Sequence, residues 1–557
     1  MHDYAAMIRL AAAGDFWSEV NWPFLWAAFV LVVDNLVRIV ALFVVPRNRR
    51  PTAGMAWLIT IFWLPVPGLL LFLLIGGNKL PKKRTAKQEF ATQIVGEIAD
   101  REQAKLGTEL VLLPDGISNA VQLGRSLGAQ PMVRGNATSI CIDYEESFAR
   151  IATAIRAAKH YVYVEFYILV HDDTTNDVFE AMREVAARGV KVRVLLDHVS
   201  AVRNPGAKRT ANTLNEIGAR WAYLLPVRPW RGQWQRPDLR NHRKLVVVDG
   251  EVGFMGSQNL VDSSYNKPAN IRRGLHWRDL MVRVEGPAAL GLEAVFLSDW
   301  FVETGEAMPQ SIDDELRVQL PGQVDCQILP SGPGFGRENN LQVFVSLLYT
   351  AQERISITSP YFIPESAIMH ALRAATARGV EVELFVSEIG DQAVVYHAQR
   401  SYYEELFDAG VRIFMYRPPY ILHSKHFTID DKIAVVGSSN MDQRSFNLNM
   451  EVSMVVYGES FVRELDEVNA VYHQNSRELT REEWSRQVQV LRTPLGLADR
   501  ARDGMHWLAR HPEWPLGVAL VVLVLRPGRS LRWASYALQG YGLYRRAQRL
   551  MGRPPLR

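Results

Sequence analysis

The sequence predicts an α/β protein: two duplicated lobes, each a mixed β-sheet flanked by helices, packed about a pseudo-twofold axis and preceded by an N-terminal membrane helical hairpin. Three observations predict it. The run "HRKLVVVDGEVGFMGSQN" from His242 to Asn259 recurs as "HSKHFTIDDKIAVVGSSN" from His423 to Asn440. The segment "ARGVKVRVLLD" (Ala187 to Asp197) is echoed by "ARGVEVELFVS" (Ala377 to Ser387). Two apolar runs, 24–45 and 53–75, precede both copies.

The apolar runs each approach the ~20 residues needed to cross a ~30 Å hydrocarbon core as a helix. They delimit an N-terminal membrane region, 1–85. Asp34 and Arg38 interrupt the first run four residues apart, so they share a helix face and can neutralise each other. Two readings fit them: a helix–helix contact or snorkelling site, and a functional polar site within the membrane. "LPVPG" (Leu64 to Gly68) interrupts the second run, and two prolines there kink or break a helix. A re-entrant dip is therefore an alternative to a second crossing. Positive charge near the ends sets orientation. Arg47, Arg49 and Arg50 lie between the runs, against Arg9, Lys79, Lys82, Lys83, Arg84 and Lys87 on the other side. That places the main body in the cytoplasm. The length of the first run and its immediate successor argue against a cleaved signal peptide.

A linker, 86–125, leads to the repeat. In lobe 1 (126–322), "YVYVEFYIL" reads as a strand, the alanine-rich stretch as a helix, and "VKVRVLLD" as a second strand. Lobe 2 (323–490) repeats this order from "ISITSPYFIP" onward. Alternating strands and helices argue for α/β layers. A duplicated domain suits a site on the pseudo-twofold axis, where each lobe supplies one copy of each motif. The remaining segment, 491–557, is basic and partly apolar. From Trp514 to Arg557 it has eight arginines and no acidic residue. Its apolar run 516–525 is too short to span as a straight helix. It reads as an interfacial element drawn to anionic membrane lipid, or as a packed element with a solvated basic tail.

Composition excludes some classes. Lys and Arg total 63 against 59 Asp and Glu, a net charge of +4, so the chain is no bulk polycation. Cys141 and Cys326 form neither a disulfide framework nor a CxxC pair. The residues point to no cofactor and no metal, since HExxH and dense Asp/Glu/His groups are absent from the sequence.

The paired motif fits phosphodiester chemistry. Histidine titrates near neutrality. One neutral imidazole can attack phosphorus while the other, protonated, supplies the leaving oxygen's proton. Lys244 and Lys425 would bind phosphate oxygens. Asn259 and Asn440, with Ser257 and Ser438, would add hydrogen bonds where charge develops. On a strand, residues two apart share a face, so His242 projects with Lys244 and His423 with Lys425. Asp249 and Asp430 complete the catalytic motif. Their seven-residue spacing from the histidines points them inward, to hold the backbone rather than touch phosphate. Each imidazole also needs a carboxylate to fix its tautomer, and Asp279 and Glu451 are the candidates.

At these residues the chain resembles the phospholipase D superfamily, with its duplicated HxKxxxxD signature. It is most similar to bacterial cardiolipin synthases, in "AWLITIFWLPVPGLLLFLLIGG", "EFYIL", "RNHRK", "WRDLMVRVEGPA", "LSDW", "LPSGP", "SPYFIP" and "NMDQRSFNLNMEV". The resemblance covers roughly residues 20–490 and implies two phospholipase D-like lobes. It also implies a bacterial inner-membrane enzyme that condenses two phosphatidylglycerols, as donor and acceptor, into cardiolipin and glycerol through a phosphatidyl-histidine. By that analogy His242 is the nucleophile and His423 the general acid. Glu451 would orient His242, and Asp279 would orient His423, across the lobes. The alternative is a phospholipase D-type hydrolase of lipid or, less favoured, of nucleic acid. The near-neutral body argues against nucleic acid, which demands a broad cationic footprint. A dead membrane scaffold is opposed by two complete motifs. "RPWRGQWQRPDLR" (Arg228 to Arg240) fits either a lipid-headgroup entrance or a base-stacking surface.

Overall fold

The computed structural model describes residues 22–492, apart from 48, 50, 78–79, 82–83, 95, 97–114, 232, 234, 308–318 and 336–337. The 493–557 part of the basic extension, with its apolar run, lies outside the described residues, as do Arg9, Arg50, Lys79, Lys82 and Lys83.

The first apolar run forms α1 (Trp22–Val44), 23 residues long. At 1.5 Å per residue it measures about 34 Å, enough to cross a bilayer by length and composition. The second run is not one helix. It breaks at Leu64 into α2 (Pro51–Trp63) and α3 (Pro65–Ile75). Proline lacks the N–H that a continuing helix would use, so Pro65 serves as a helix start. The helices share a small core of Ala41, Val45, Ile61 and Phe72. At Gly68 a Cβ would come within 2.9 Å of the Ile61 Cα, so the close approach of α3 to α2 requires glycine. Arg38 donates through Nε to the Phe62 carbonyl at 3.2 Å, a contact between helices. The expected Asp34–Arg38 pairing is thereby replaced, because a backbone carbonyl at the break is within its reach.

Contacts set a first unit, including residues 22–77, apart from a second over 78–484. Within the expected linker, α4 (Asp115–Ser126) packs on a helix of lobe 2.

Lobe 1 contributes β1 (Met132–Cys141), β2 (Tyr161–Phe166), β3 (Lys191–Asp197), β4 (Arg220–Leu224), β5 (Arg240–Asn241), β6 (Lys244–Val248), β7 (Val252–Gly256), β8 (His276–Arg278) and β9 (Met281–Glu285). Lobe 2 contributes β10 (Val324–Ser331), β11 (Arg354–Thr358), β12 (Glu381–Ser387), β13 (Arg412–Tyr416), β14 (Tyr420–Leu422), β15 (His426–Ile429), β16 (Ile433–Gly437), β17 (Asn449–Tyr457) and β18 (Ser476–Leu479). The alanine-rich stretches form α5 (Asn176–Ala187) between β2 and β3, and α8 (Ser366–Ala377) between β11 and β12. Between them in the chain come α6 (Pro287–Thr304) and α7 (Asn339–Thr350), the latter carrying α4; α9 (Glu459–Asn475) follows β17.

One continuous sheet joins the lobes through the antiparallel pair β1 and β10. Outward from that pair the order is β1-β9-β7-β6-β2-β3-β4 on one side and β10-β17-β16-β15-β11-β12-β13 on the other. Equivalent strands occupy equivalent places, as a twofold relation requires. In each lobe the crossover strands pair in parallel (β2·β3·β4 and β11·β12·β13) and the remaining neighbours run antiparallel. A shared core closes the lobes over one another. Phe296 and Trp300 of α6 belong to the same buried cluster as Met454 and Val456 of β17 and Tyr472 of α9.

Candidate active site

Each histidine motif begins on a strand borrowed by the other lobe. β5 pairs in parallel with β17, matching Asn241 to Met450, and the His242 amide donates to the Met450 carbonyl at 2.8 Å. Reciprocally, β14 pairs in parallel with β8, matching Leu422 to Arg278, and the His423 amide donates to the Arg278 carbonyl at 2.7 Å. The residue after each matched position is a carboxylate, Glu451 or Asp279. Register therefore sets each acid against the opposite lobe's histidine. His242 Nδ1 lies 3.0 and 2.9 Å from the two Glu451 oxygens, and His423 Nδ1 lies 2.7 Å from Asp279 Oδ1. An Nδ1–H donated to carboxylate leaves each Nε2 as the lone-pair nitrogen. Neither Nε2 has a hydrogen-bond partner among the described residues.

The motif histidines and Lys425 are not on strands, as the alternation argument expected. β6 starts at Lys244 and β15 at His426, so His-x-Lys is the crossing between a borrowed strand and a lobe's own sheet. Each lysine still folds back on its histidine. Lys244 Nζ donates to the His242 carbonyl, and Lys425 Nζ to the His423 carbonyl.

The serines and aspartates of the motif have other work than phosphate contact. Ser257 Oγ donates to Asp279 at 2.7 Å and accepts from the Leu280 amide at 2.9 Å. Ser438 Oγ donates to Glu451 at 2.6 Å and accepts from the Val452 amide at 3.0 Å. Both serines clamp the carboxylates that hold the histidines. Asp249 and Asp430 stand at the far ends of β6 and β15, and the described contacts of their carboxylates are to backbone amides. The Asp249 carboxylate accepts from the amides of Lys159, His160 and Tyr161 at 2.7, 2.9 and 2.7 Å. Asp430 accepts from Gln352, Glu353 and Arg354 at 3.2, 2.8 and 3.0 Å. A short carboxylate that caps three amides is stapling a turn to its neighbouring strand, as the inward-facing reading anticipated. Asn259 is also engaged. Its Oδ1 accepts from the Ile168 amide at 3.2 Å and its Nδ2 donates to the Tyr265 hydroxyl at 2.8 Å. Asn440 differs, because its buried Oδ1 has no partner.

Sequence reasoning missed Arg243, the variable residue of the first His-x-Lys. Its buried guanidinium donates to the Glu451 carbonyl at 3.0 Å, to the Ser331 carbonyl at 3.3 Å, and to Asp299. It thus ties both lobes behind His242, whereas the equivalent Ser424 bonds only to the Tyr472 hydroxyl at 2.9 Å. The Asp299 end was visible only as the unexplained "LSDW". Three tyrosines were also missed. Tyr167 meets His242 edge-on at 5.1 Å, and Tyr265 and Tyr361 meet His423 at 6.3 and 6.4 Å.

Burial dominates the electrostatics. It pushes His242 down to about 4, against the pull of Glu451. It also lowers His423, against the pull of Asp279. Burial takes Lys425 down to about 8 and Lys244 well below its ordinary value. Burial alone would raise Asp279 and Glu451, but the partnered histidine, the nearby lysine and the clamping serine hold each below the usual carboxylate range. Lys425 acts on His242 and Lys244 on His423, so the two sets form one electrostatic cluster. Two buried ammonium groups, destabilised by lost solvation, make a receptor for an oxyanion.

Comparison with known proteins gives the chain its family. A family model described as cardiolipin synthase, PLD-like domain, matches residues 151–300 and 344–470. A cardiolipin synthase of Alkalihalophilus pseudofirmus is 34% identical over 77% of this chain and 84% of its own length. Cardiolipin synthase A of Pseudomonas fluorescens is 32% identical over 84% of this chain and 96% of its own length. This chain belongs to the cardiolipin synthase family of phospholipase D-like proteins. It is an enzyme of that type, acting in phospholipid metabolism. The crystal structure of a phosphatidylserine synthase from Haemophilus influenzae shares the fold, with a TM-score of 0.54 at 14% identity over 72% of this chain and 99% of that one. A second family model, described as YqjK-like protein, matches residues 475–545, the end of lobe 2 and most of the basic extension.

Proposed function

We propose that the protein joins two phosphatidylglycerols into cardiolipin and glycerol through a phosphatidyl-histidine. His242 Nε2 attacks the phosphorus of the first lipid. The bond from phosphorus to the glycerol headgroup oxygen breaks, and His423, protonated once the anionic lipid is bound, gives that oxygen its Nε2 proton. A hydroxyl of the second phosphatidylglycerol then attacks phosphorus and returns a proton to His423. The P–N bond breaks and His242 is regenerated, so one phosphodiester replaces another and no nucleotide is consumed. Lys244 and Lys425 offset the charge gathered on the non-bridging oxygens in both steps. Glu451 and Asp279 hold the imidazole tautomers, and Ser438 and Ser257 hold those carboxylates. The observation that carries this reading is the reciprocal pairing of each histidine with the opposite lobe's buried carboxylate, which leaves two Nε2 atoms free in one cationic cluster.

Product analysis of the detergent-solubilised chain on phosphatidylglycerol tests it. Cardiolipin and glycerol are expected in equal amounts without nucleotide. Phosphatidic acid as the main product would replace transfer by hydrolysis and leave the histidine roles to be tested separately.

A further inference from the structure

The histidine cluster opens on one edge of the sheet, and the loops on that edge share a surface chemistry. β2, β3 and β4 are parallel, and β2 ends at Phe166 opposite Lys244; β7 ends at the same level. In lobe 2, β11, β12, β13 and β16 end in the same way around Lys425. Nine large apolar side chains are exposed among the described residues between 78 and 484, and five of them follow these strand ends. They are Val202, Trp230, Ile271, Val394 and Tyr420, exposed by 59, 78, 60, 75 and 38%. Val202 and Val394 follow equivalent strands, β3 and β12, so each lobe offers one.

Cations accompany these tips. Arg203 follows Val202, Arg231 follows Trp230, and Arg272 and Arg273 follow Ile271, all exposed. Arg417 and Arg444 are exposed on the matching loops of lobe 2. None of the six has a carboxylate partner among the described residues. Asp173 is exposed in the loop after β2. Single exposed apolar residues are ordinary, but aliphatic tips gathered with unpaired cations around one opening are not. Valine and isoleucine offer nothing to a nucleic acid, which takes aromatic stacking and charge. A bilayer takes both features: its acyl boundary accepts aliphatic and aromatic tips, and its anionic phosphates accept arginine.

We propose that this edge docks onto an anionic bilayer. The apolar tips enter the acyl boundary and the arginines lie at phosphate depth, so a lipid phosphate reaches His242 and His423 without its chains leaving the membrane. The proposal rests on the lipid reading of the site, and its test is separable from turnover. Cys141 and Cys326 are buried, so an introduced surface cysteine can be labelled selectively. The full chain is reconstituted in phosphatidylglycerol vesicles as Trp230→Cys, Val394→Cys, Glu251→Cys or Asp431→Cys, each carrying an environment-sensitive fluorophore. Glu251 and Asp431 are exposed at the opposite ends of the strands and serve as controls. Lipids brominated along their chains are expected to quench the labels at 230 and 394 at least about twofold more than those at 251 and 431. Equal quenching at all four positions, or none at 230 and 394, overturns the proposal. Shielding of the 230 and 394 labels by single-stranded DNA, with no lipid quenching, gives the edge to nucleic acid and also overturns it. Quenching at 230 and 394 in a protein that makes no cardiolipin would sink the proposed reaction and leave docking standing.

Discussion

At the scale of single residues, burial acts on both of the roles proposed for the histidines. A nucleophilic imidazole must be neutral, and burial that lowers His242 from 6.5 to about 4 keeps it so as pH falls. The acid limb of kcat/KM is therefore expected near pH 4, well below the ordinary histidine range. The same burial works against the general acid, because His423 is lowered too and yields its proton more readily in the empty site. A bound phosphodiester supplies the missing anion and raises His423 again. The alkaline limb of kcat, which reports the lipid-bound site, is thus expected at higher pH than that of kcat/KM. Coincident alkaline limbs in the two profiles would contradict these roles. The free Oδ1 of Asn440 and the bonded Asn259 show that the two half-sites are not chemically equal, although their motifs read alike.

At the scale of elements, the site depends on two short strands that cross between lobes. β5 and β14 are only two and three residues long, yet they set the register that brings Glu451 to His242 and Asp279 to His423. The longer strands behind them must therefore be held firmly, and the motif aspartates do this. Asp249 sits at φ +52° with Gly250 at +69° in the tight β6–β7 turn, where Asp-Gly suits a turn needing two left-handed residues. Its carboxylate binds three amides at the start of β2, and Asp430 does the same for β11. Asp249→Ala or Asp430→Ala strands buried donors and is expected to destabilise the fold by about 3 kcal/mol. Calorimetry should show the lower melting point, while kcat of the protein that remains folded stays near that of the parent. A large fall in kcat without loss of stability would return these aspartates to the chemistry.

At the scale of the whole molecule, the sheet order repeats outward from β1 and β10, and the reciprocal pairs follow from that symmetry. The membrane reading also belongs to this scale. α1 is long and apolar enough to cross a bilayer, and we propose from the distribution of Lys and Arg around the apolar runs that the lobes face the cytoplasm. Protease added outside sealed spheroplasts is expected to leave the lobes intact; their digestion there would reverse the orientation. The sequence by itself determined the duplication, the α/β class and the family, and it marked the two histidines, the two lysines and the four carboxylates as candidates. Each is either a repeated string or a residue type whose chemistry is tied to one task. Tertiary structure alone decided what several of those residues touch. Ser257 and Ser438 look like phosphate donors in the string, but they clamp carboxylates because β9 and β17 pass beside them. Arg243 looks like a spacer, but it ties β17, β10 and α6 together. Hydrogen-bond partners that are far apart in the chain are set by strand register and lobe packing, and spacing along one sequence carries no record of either.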